Sequence, residues 1–421
     1  MEIIADLHIH SRYSRATSKD MNLSEITRWA KLKGISVIGT GDFTHPGWLS
    51  ELKNNLIQVS DSTYQYNGVY FLLTGEISNI FNRNGKNYRI HNIIFMPDFE
   101  SVEKLNRILQ NYGDLVVDGR PVLSLDCISV VEIVYSITEN ALIVPAHAWT
   151  PHFSIFGSLS GFDSIEECFG KYANYIKSIE TGLSSDPKMN WRLSKLDKIT
   201  LLSNSDAHSP QNLGREANVF NFDMEKISDL YKEIISTIKN KDKNKFLYTI
   251  EFYPEEGKYH YDGHRICGVC WSPEETKKHN GICPVCNKKV TVGVLNRVDQ
   301  LADRAKGIFT DEFIPYKNLI PLMEIIADAL GSGKNTQKTL NEYYYITTQV
   351  GTEFDVLLKM SQHELQSKIN PKIAEGIIKV REGEVDIFPG YDGEYGKINI
   401  RWNKDIKSQK TSSFDKQLEL F

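Results

Sequence analysis

The chain has 421 residues, 41% apolar and 24% charged, with a net charge of −5. That length exceeds one ordinary core and sets an expectation of two or three domains. The acid excess argues against a uniformly basic nucleic-acid binder, though not against a local basic groove, and no apolar run is long enough to span a bilayer.

The first residues enter a strand-like segment at 2–10 and leave no room for a signal peptide, so the expected location is cytoplasmic, with no membrane partner. Residues 22–32 read as a helix with Ser24 as the candidate cap and Gly34 as the stop. Short β-rich runs follow at 35–40, 69–76, 89–96, 142–147, 178–181 and 200–205, with amphipathic stretches at 102–111, 165–176 and 228–239. This alternation predicts an α/β fold, a parallel sheet or barrel with helices outside. After Tyr253 the pattern breaks at Pro254 and passes through an aromatic, His-bearing stretch into a cysteine-rich segment. Residues 319–330, 339–350, 354–359 and 373–379 read as helices, and 403–421 as a polar, flexible tail. The expected boundaries are therefore 1–252, 253–300, 301–402 and 403–421.

Metal-ligand side chains recur near the ends of the β-rich runs. Asp6-Leu7-His8-Ile9-His10 opens the set and Ser205-Asp206-Ala207-His208 closes it. On a strand, residues i and i+2 share a face, so His8 and His10 can grip one ion from one side. Asp42, Glu76 and His147 end other runs, whereas His91 lies inside its run and fits this picture least well. A lone buried histidine is more often a satisfied core residue, but the set as a whole points to a polynuclear centre. Imidazole with carboxylate suits Zn, Mn or Fe better than Mg, and two or three such ions suit hydrolysis of a phosphate ester.

Four of the six cysteines form two pairs, Cys267 with Cys270 and Cys283 with Cys286. That spacing predicts one tetrahedral structural zinc site, against a chance or redox role for both pairs. Nearby Lys288 and Lys289 are candidates for DNA contact, the alternative being a solvated charged face. Gly331-Ser332-Gly333-Lys334-Asn335-Thr336 lacks the spacing of a phosphate-binding loop and reads as a helix-ending turn. Residues 369–376 only faintly match a helix-hairpin-helix DNA clamp, because the hairpin glycines are missing.

The set Asp6, His8, His10, Asp42, Glu76, His91, His147, Asp206 and His208 resembles the signature of the PHP phosphoesterase superfamily. The resemblance implies a distorted (β/α)₇ barrel over about the first 250 residues, holding two or three divalent ions (Zn, Mn or Mg). It would assign His8, His10, Glu76 and Asp206 to one ion, His208 and Asp42 to a second, and Glu76, His91 and His147 to a third. Asp42 stands where many relatives have His, and Arg15-Ala16-Thr17 offers no ligand, so the second set departs from the usual pattern and His45 is a reserve candidate.

The order of parts, barrel, zinc module, helical region and tail, resembles the endonuclease Q family. Residues 39–46, 145–149 and 205–208 carry the resemblance. It implies DNA cleavage on the 5′ side of a deaminated base (uracil, hypoxanthine or xanthine) or an abasic site. Arg215 and His152 are then candidates for phosphate or leaving-group contact. Tyr13, Trp48, Trp149 and Phe153 are candidates for base stacking, with core packing the commoner role for each. The final residues Gln417, Leu418, Leu420 and Phe421 resemble the peptide by which bacterial proteins dock on the sliding clamp. A monomeric, nucleoid-associated enzyme is expected. A small-molecule phosphatase and a non-catalytic, clamp-associated DNA-binding protein are the alternatives.

Overall fold

The computed structural model describes residues 1–402. Glu2–Asp6 forms β1, followed by β2 (Val37–Gly39), β3 (Ile57–Gln58), β4 (Tyr64–Tyr66), β5 (Val69–Arg83) and β6 (Lys86–Met96). Shorter strands follow: β7 (Val122–Leu123), β8 (Leu142–Pro145), β9 (Ser178–Glu180), β10 (Thr200–Leu202), β11 (Ala217–Asn221) and β12 (Phe246–Glu251). Backbone pairing leads from β1 to β2 and β5 in parallel, then antiparallel through β6 to β8. Beyond β8, Ala148 N–H donates to the Glu180 carbonyl at the end of β9 (2.9 Å), and β9 pairs in parallel with β10. The path returns to its start where His10 N–H donates to the Ala207 carbonyl (3.0 Å), beside a parallel bridge between Ile9 and Ala207.

Strand alternation sorts the apolar residues into two cores. Ile3, Ala5 and Leu7 pack with Val37, Leu72, Ile93, Val144 and Leu202, whereas Ile4 packs with helix residues such as Ile26 and Trp29. Each fully buried Val, Leu or Ile side chain among them contributes about 1.5–3 kcal/mol. Ile9 joins the core of Ile4, not that of Ile3. The alternation therefore slips after Leu7, and His8 and His10 turn together to one side.

The regular β/α alternation is interrupted by the hairpin of β5 and β6. Asn84 and Gly85 both have positive φ (54° and 80°) between the paired Arg83 and Lys86, as a two-residue primed turn requires. This carries β5 well beyond the predicted end at Glu76. It also explains His91. Because β6 runs back against β5, with His91 opposite Ser78, a residue inside β6 lies level with the end of the predicted β5 run.

Helix Leu23–Lys33 is capped by Asn22, whose side chain accepts from Glu25 N–H, and not by the expected Ser24; Gly34 stops it with φ 84°. Helix Pro46–Asn55, unmarked by sequence periodicity, starts on His45 as cap with Pro46 in its first turn.

The cysteine-rich segment adds β13 (Asp262–His264) antiparallel to β14 (Val269–Trp271), then helix Val294–Leu301. The chain next rejoins the main sheet, as β15 (Tyr316–Asn318) pairs in parallel with β12. Helices Leu322–Leu330, Gln337–Tyr345, Gln362–Lys368 and Pro371–Arg381 follow, and Gly331, with φ 57°, ends the first of them as expected. An antiparallel pair, β16 (Val385–Phe388) and β17 (Lys397–Ile400), adds strand to this mainly helical part. The helical part is tied to helix Leu23–Lys33 by a buried ion pair, Lys33 Nζ to Glu353 Oε2 at 2.9 Å. Among the described residues, no helix is long and apolar enough to cross a membrane.

Candidate metal centres

Three groups of ligand atoms meet at the strand ends, each spanning no more than 4.8 Å: His8, His10 and Glu76; His10, Asp206 and His208; Glu76, His91 and His147. Glu76 is the shared wall. Its Oε2 lies 3.2 Å from His10 Nε2 and 3.5 Å from His8 Nε2. Its Oε1 lies 2.8 Å from His91 Nδ1 and 3.3 Å from His147 Nε2. Asp206 Oδ1 faces His10 Nε2 at 3.1 Å and His8 Nε2 at 3.8 Å. Asp206 and His147 both have positive φ (46° and 31°), a backbone strain of the kind stored at functional sites.

The donors are bare where they converge. Among the described residues, His8 Nε2, His10 Nε2, Glu76 Oε1 and Asp206 Oδ1 are buried and face one another without a well-aligned hydrogen bond. Orphaned buried polar atoms are costly, and divalent cations satisfy this mixed imidazole and carboxylate set, so the residues fit the ions that the sequence implies. Burial pushes Glu76 and Asp206 up, but the histidines around both, and Arg120 beside Glu76, outweigh it and hold both carboxyls well below the usual range. Burial pushes His8 and His10 down, and their carboxylate neighbours more than reverse it. For His91 burial prevails and lowers it to about 4.

Asp42 departs from expectation. Its carboxylate stands outside all three groups. Oδ1 lies 2.9 Å from His10 Nδ1, and Oδ2 accepts from Ser11 N–H (2.6 Å), Ser11 Oγ (2.7 Å) and Ser14 Oγ (2.9 Å). With Nδ1–H held there, His10 presents Nε2 as a lone pair to the cluster. The second group is completed by Asp206 instead. His45, the reserve, is also engaged elsewhere, with Nε2 on the Val116 carbonyl (3.0 Å) and Nδ1 accepting from Gly47 N–H (3.1 Å).

Two residues escape sequence reasoning. Glu180, fully buried, grips His8 Nδ1 at 3.0 and 3.1 Å and accepts from His147 N–H (2.8 Å) and Asn204 Nδ2 (3.0 Å). It is to His8 what Asp42 is to His10, and its only sequence signal is an acid ending the run 178–181. Arg120 places Nη1 3.3 Å from Glu76 Oε2, and no motif marks it.

Other candidates separate. Arg215 braces the ligand loop, its Nε donating to the Ser205 carbonyl (2.8 Å). His152 is exposed. Trp48 and Trp149 are fully buried core residues. Tyr13 stacks on His45 (4.4 Å between centroids), and Phe153 lies over His91 (4.8 Å).

The cysteine site is a second correction. The atoms that meet are His264, Cys267, Cys283 and Cys286, with His264 in place of Cys270. Strand β14 decides this: Val269 and Trp271 pack among Cys267, Cys283 and Cys286, so Cys270 between them faces the other way. The four ligands form two matched knuckles, His264-x-x-Cys267 and Cys283-x-x-Cys286. Each is followed by a residue at positive φ, Gly268 (65°) and Asn287 (57°). That repeat is legible in the sequence. Three thiols and an imidazole suit tetrahedral zinc. Burial opposes ionisation of Cys283, but backbone N–H groups of Cys286 and Val285 lower it to about 6. Lys288 and Lys289 are exposed beside the second knuckle. Gln417, Leu418, Leu420 and Phe421 lie outside the described residues.

Residues 321–384 match the family model of the MJ0043 C-terminal domain. The chain is 37% identical to the uncharacterised protein MJ0043 of Methanocaldococcus jannaschii over 61% of its own length, but spans only 32% of that relative. It is 28% identical to the uncharacterised protein YqxK of Bacillus subtilis, over 94% of this chain and 99% of that one. The crystal structure of the lesion-specific endonuclease PfuEndoQ from Pyrococcus furiosus superposes with a TM-score of 0.84 at 32% identity, covering 95% of this chain and 96% of that one. A structure of Endonuclease Q with a 27-mer duplex bearing an abasic lesion at the active site gives 0.83 at 32% identity, covering 95% and 97%. With the likeness spanning both chains nearly end to end, the protein belongs to the endonuclease Q family.

Proposed function

We propose that the protein is a metal-dependent endodeoxyribonuclease that cuts DNA on the 5′ side of a deaminated base (uracil, hypoxanthine or xanthine) or an abasic site. The observation that carries this reading is the chain-long likeness to a lesion-specific endonuclease, in a chain where three groups of ligand atoms converge. The path of strands that returns to β1 supports a distorted (β/α)₇ barrel as their frame.

His8, His10, Glu76, His91, His147, Asp206 and His208 would hold two or three divalent ions (Zn, Mn or Mg). Such ions supply Lewis acidity toward the phosphate and a nucleophile at neutral pH. Asp42 and Glu180 fix the ring orientation of His10 and His8, and Arg215 holds the loop that carries Asp206. A weakly paired deaminated base costs less to extrude from the stack than a sound one, by about a few kcal/mol, which favours cutting beside lesions. The second site would hold one structural zinc, with Lys288 and Lys289 against the DNA backbone. The terminal residues Gln417, Leu418, Leu420 and Phe421 would dock a bacterial sliding clamp, and the enzyme would act as a monomer on DNA in the cytoplasm.

The test offers the Mn²⁺-loaded protein abasic, deoxyuridine-containing and undamaged duplexes, with histidinol phosphate as a small-molecule control. Nicking of the lesion duplexes alone supports the reading. Hydrolysis of histidinol phosphate without nicking makes the protein a small-molecule phosphatase, and no reaction with any of them removes the catalytic reading.

A further inference from the structure

Resting on the nuclease reading above, we propose that Arg120 is a catalytic residue whose guanidinium grips a non-bridging oxygen of the phosphate held at the metal cluster. Arg120 Nη1 approaches Glu76 on Oε2, at 3.3 Å, while His91 and His147 occupy the Oε1 side. Its side chain is 25% exposed against 1% for Glu76, so Arg120 is the solvent-facing member of the pair. A guanidinium has five N–H donors in a fixed fork. Among the described residues, Glu76 is the one hydrogen-bond partner of this side chain, and none of its nitrogens is buried and orphaned. The remaining donors therefore keep contact with solvent. Arg215, which braces the Asp206 loop, is engaged differently, its Nε donating to the Ser205 carbonyl.

The backbone around Arg120 is pinned to elements that carry the ligands. Asp118 Oδ1 accepts from Arg120 N–H (3.1 Å) and Arg15 N–H (3.3 Å). Gly119 N–H donates to the Tyr13 carbonyl (3.0 Å), and the Gly119 carbonyl accepts from Thr44 Oγ1 (2.9 Å). Any side chain at Gly119 would run into the Asp42 carboxylate and the Ser14 hydroxyl, so the chain here passes directly over the Asp42–His10 pair. On the other side, the Pro121 carbonyl accepts from Ser78 N–H (2.9 Å), and β7 pairs with β5 at Ser78 and Asn79. A cationic fork fixed in this way meets charge developing on phosphate oxygens without reorganising.

The test compares wild type, Arg120→Ala and Arg120→Lys as full-length, Mn²⁺-loaded protein. Two readouts are used: single-turnover and steady-state nicking of an abasic duplex, and affinity for inorganic phosphate by calorimetry. Arg120→Ala should lower kcat about 100- to 1000-fold while KM moves less than about tenfold and bound Mn²⁺ per chain is unchanged. Phosphate affinity should fall about tenfold or more, and Arg120→Lys should recover part of both. A kcat within about threefold of wild type with phosphate affinity unchanged would overturn the assignment. So would a loss that extra Mn²⁺ restores, which makes Arg120 only the charge partner of Glu76. If wild type does not cut DNA yet phosphate affinity still falls in Arg120→Ala, the nuclease reading fails and the phosphate contact stands.

Discussion

Asp42 binds the far side of His10: its Oδ1 lies 2.9 Å from Nδ1, so that Nε2 is left to face Glu76 and Asp206. A carboxylate in that place acts through the imidazole it orients. Asp42→Asn should therefore keep the number of bound ions and weaken their affinity about 10- to 100-fold, read by titration with Mn²⁺. Loss of one ion from the stoichiometry at saturating Mn²⁺ would show that Asp42 is itself a ligand.

The knuckle site makes a sharper distinction. His264→Ala removes one of four converging ligands, whereas Cys270 lies on the opposite face of β14. Zinc content per chain should fall in His264→Ala, with a lower Tm, and remain at wild-type level in Cys270→Ser. The reverse pattern would restore the four-cysteine site.

Lys33 and Glu353 form an ion pair with both side chains 4% exposed, and Glu353 also accepts from Tyr343 Oη (2.8 Å) and Leu322 N–H (3.0 Å). Glu353→Ala leaves the Lys33 ammonium buried and alone and should cost about 3–5 kcal/mol by denaturant titration. A loss below about 1 kcal/mol would mean that water reaches the pair freely.

Glu256 predicts a pH dependence of stability. Burial, reinforced by Glu324 and opposed by Lys334, pushes its carboxyl from the ordinary 4.5 up to about 8. The folded chain thus keeps a proton that the unfolded chain has already lost. The stability contributed by this group is full below about pH 4.5, falls as pH rises toward about 8, and changes no further above that. The Tm advantage of Glu256→Gln over wild type should widen from pH 5 to pH 8, and a constant difference would contradict the raised value.

Strand period made His8 and His10 readable as one grip, whereas Asp206 and His208 lie in the loop beyond β10, with Asp206 at positive φ, and were readable only as ligand types near a strand end. His91 resisted that logic, since β6 runs antiparallel and places a mid-strand residue level with Glu76. Asp42 and Glu180 are invisible as supports for a different reason. A sequence does not record whether a carboxylate faces an ion or the back of an imidazole. Spacing paired Cys270 with Cys267, but strand alternation turned it away and brought in His264. Arg120 lies in a loop whose path is set by contacts with residues about 40 to 105 positions away, and nothing local announces it. The return of the chain as β15 to the main sheet is tertiary in the same sense.

The central claim is tested most directly by mapping the cut. A duplex with one deoxyuridine or abasic site, end-labelled on the lesion strand, is incubated with Mn²⁺ and either wild type or Asp206→Asn. The account predicts one wild-type nick immediately 5′ to the lesion, leaving a 3′-hydroxyl and a 5′-phosphate, with Asp206→Asn slower by about 100-fold or more. Equal cutting of undamaged DNA, a nick elsewhere, or equal rates for the two proteins would contradict it.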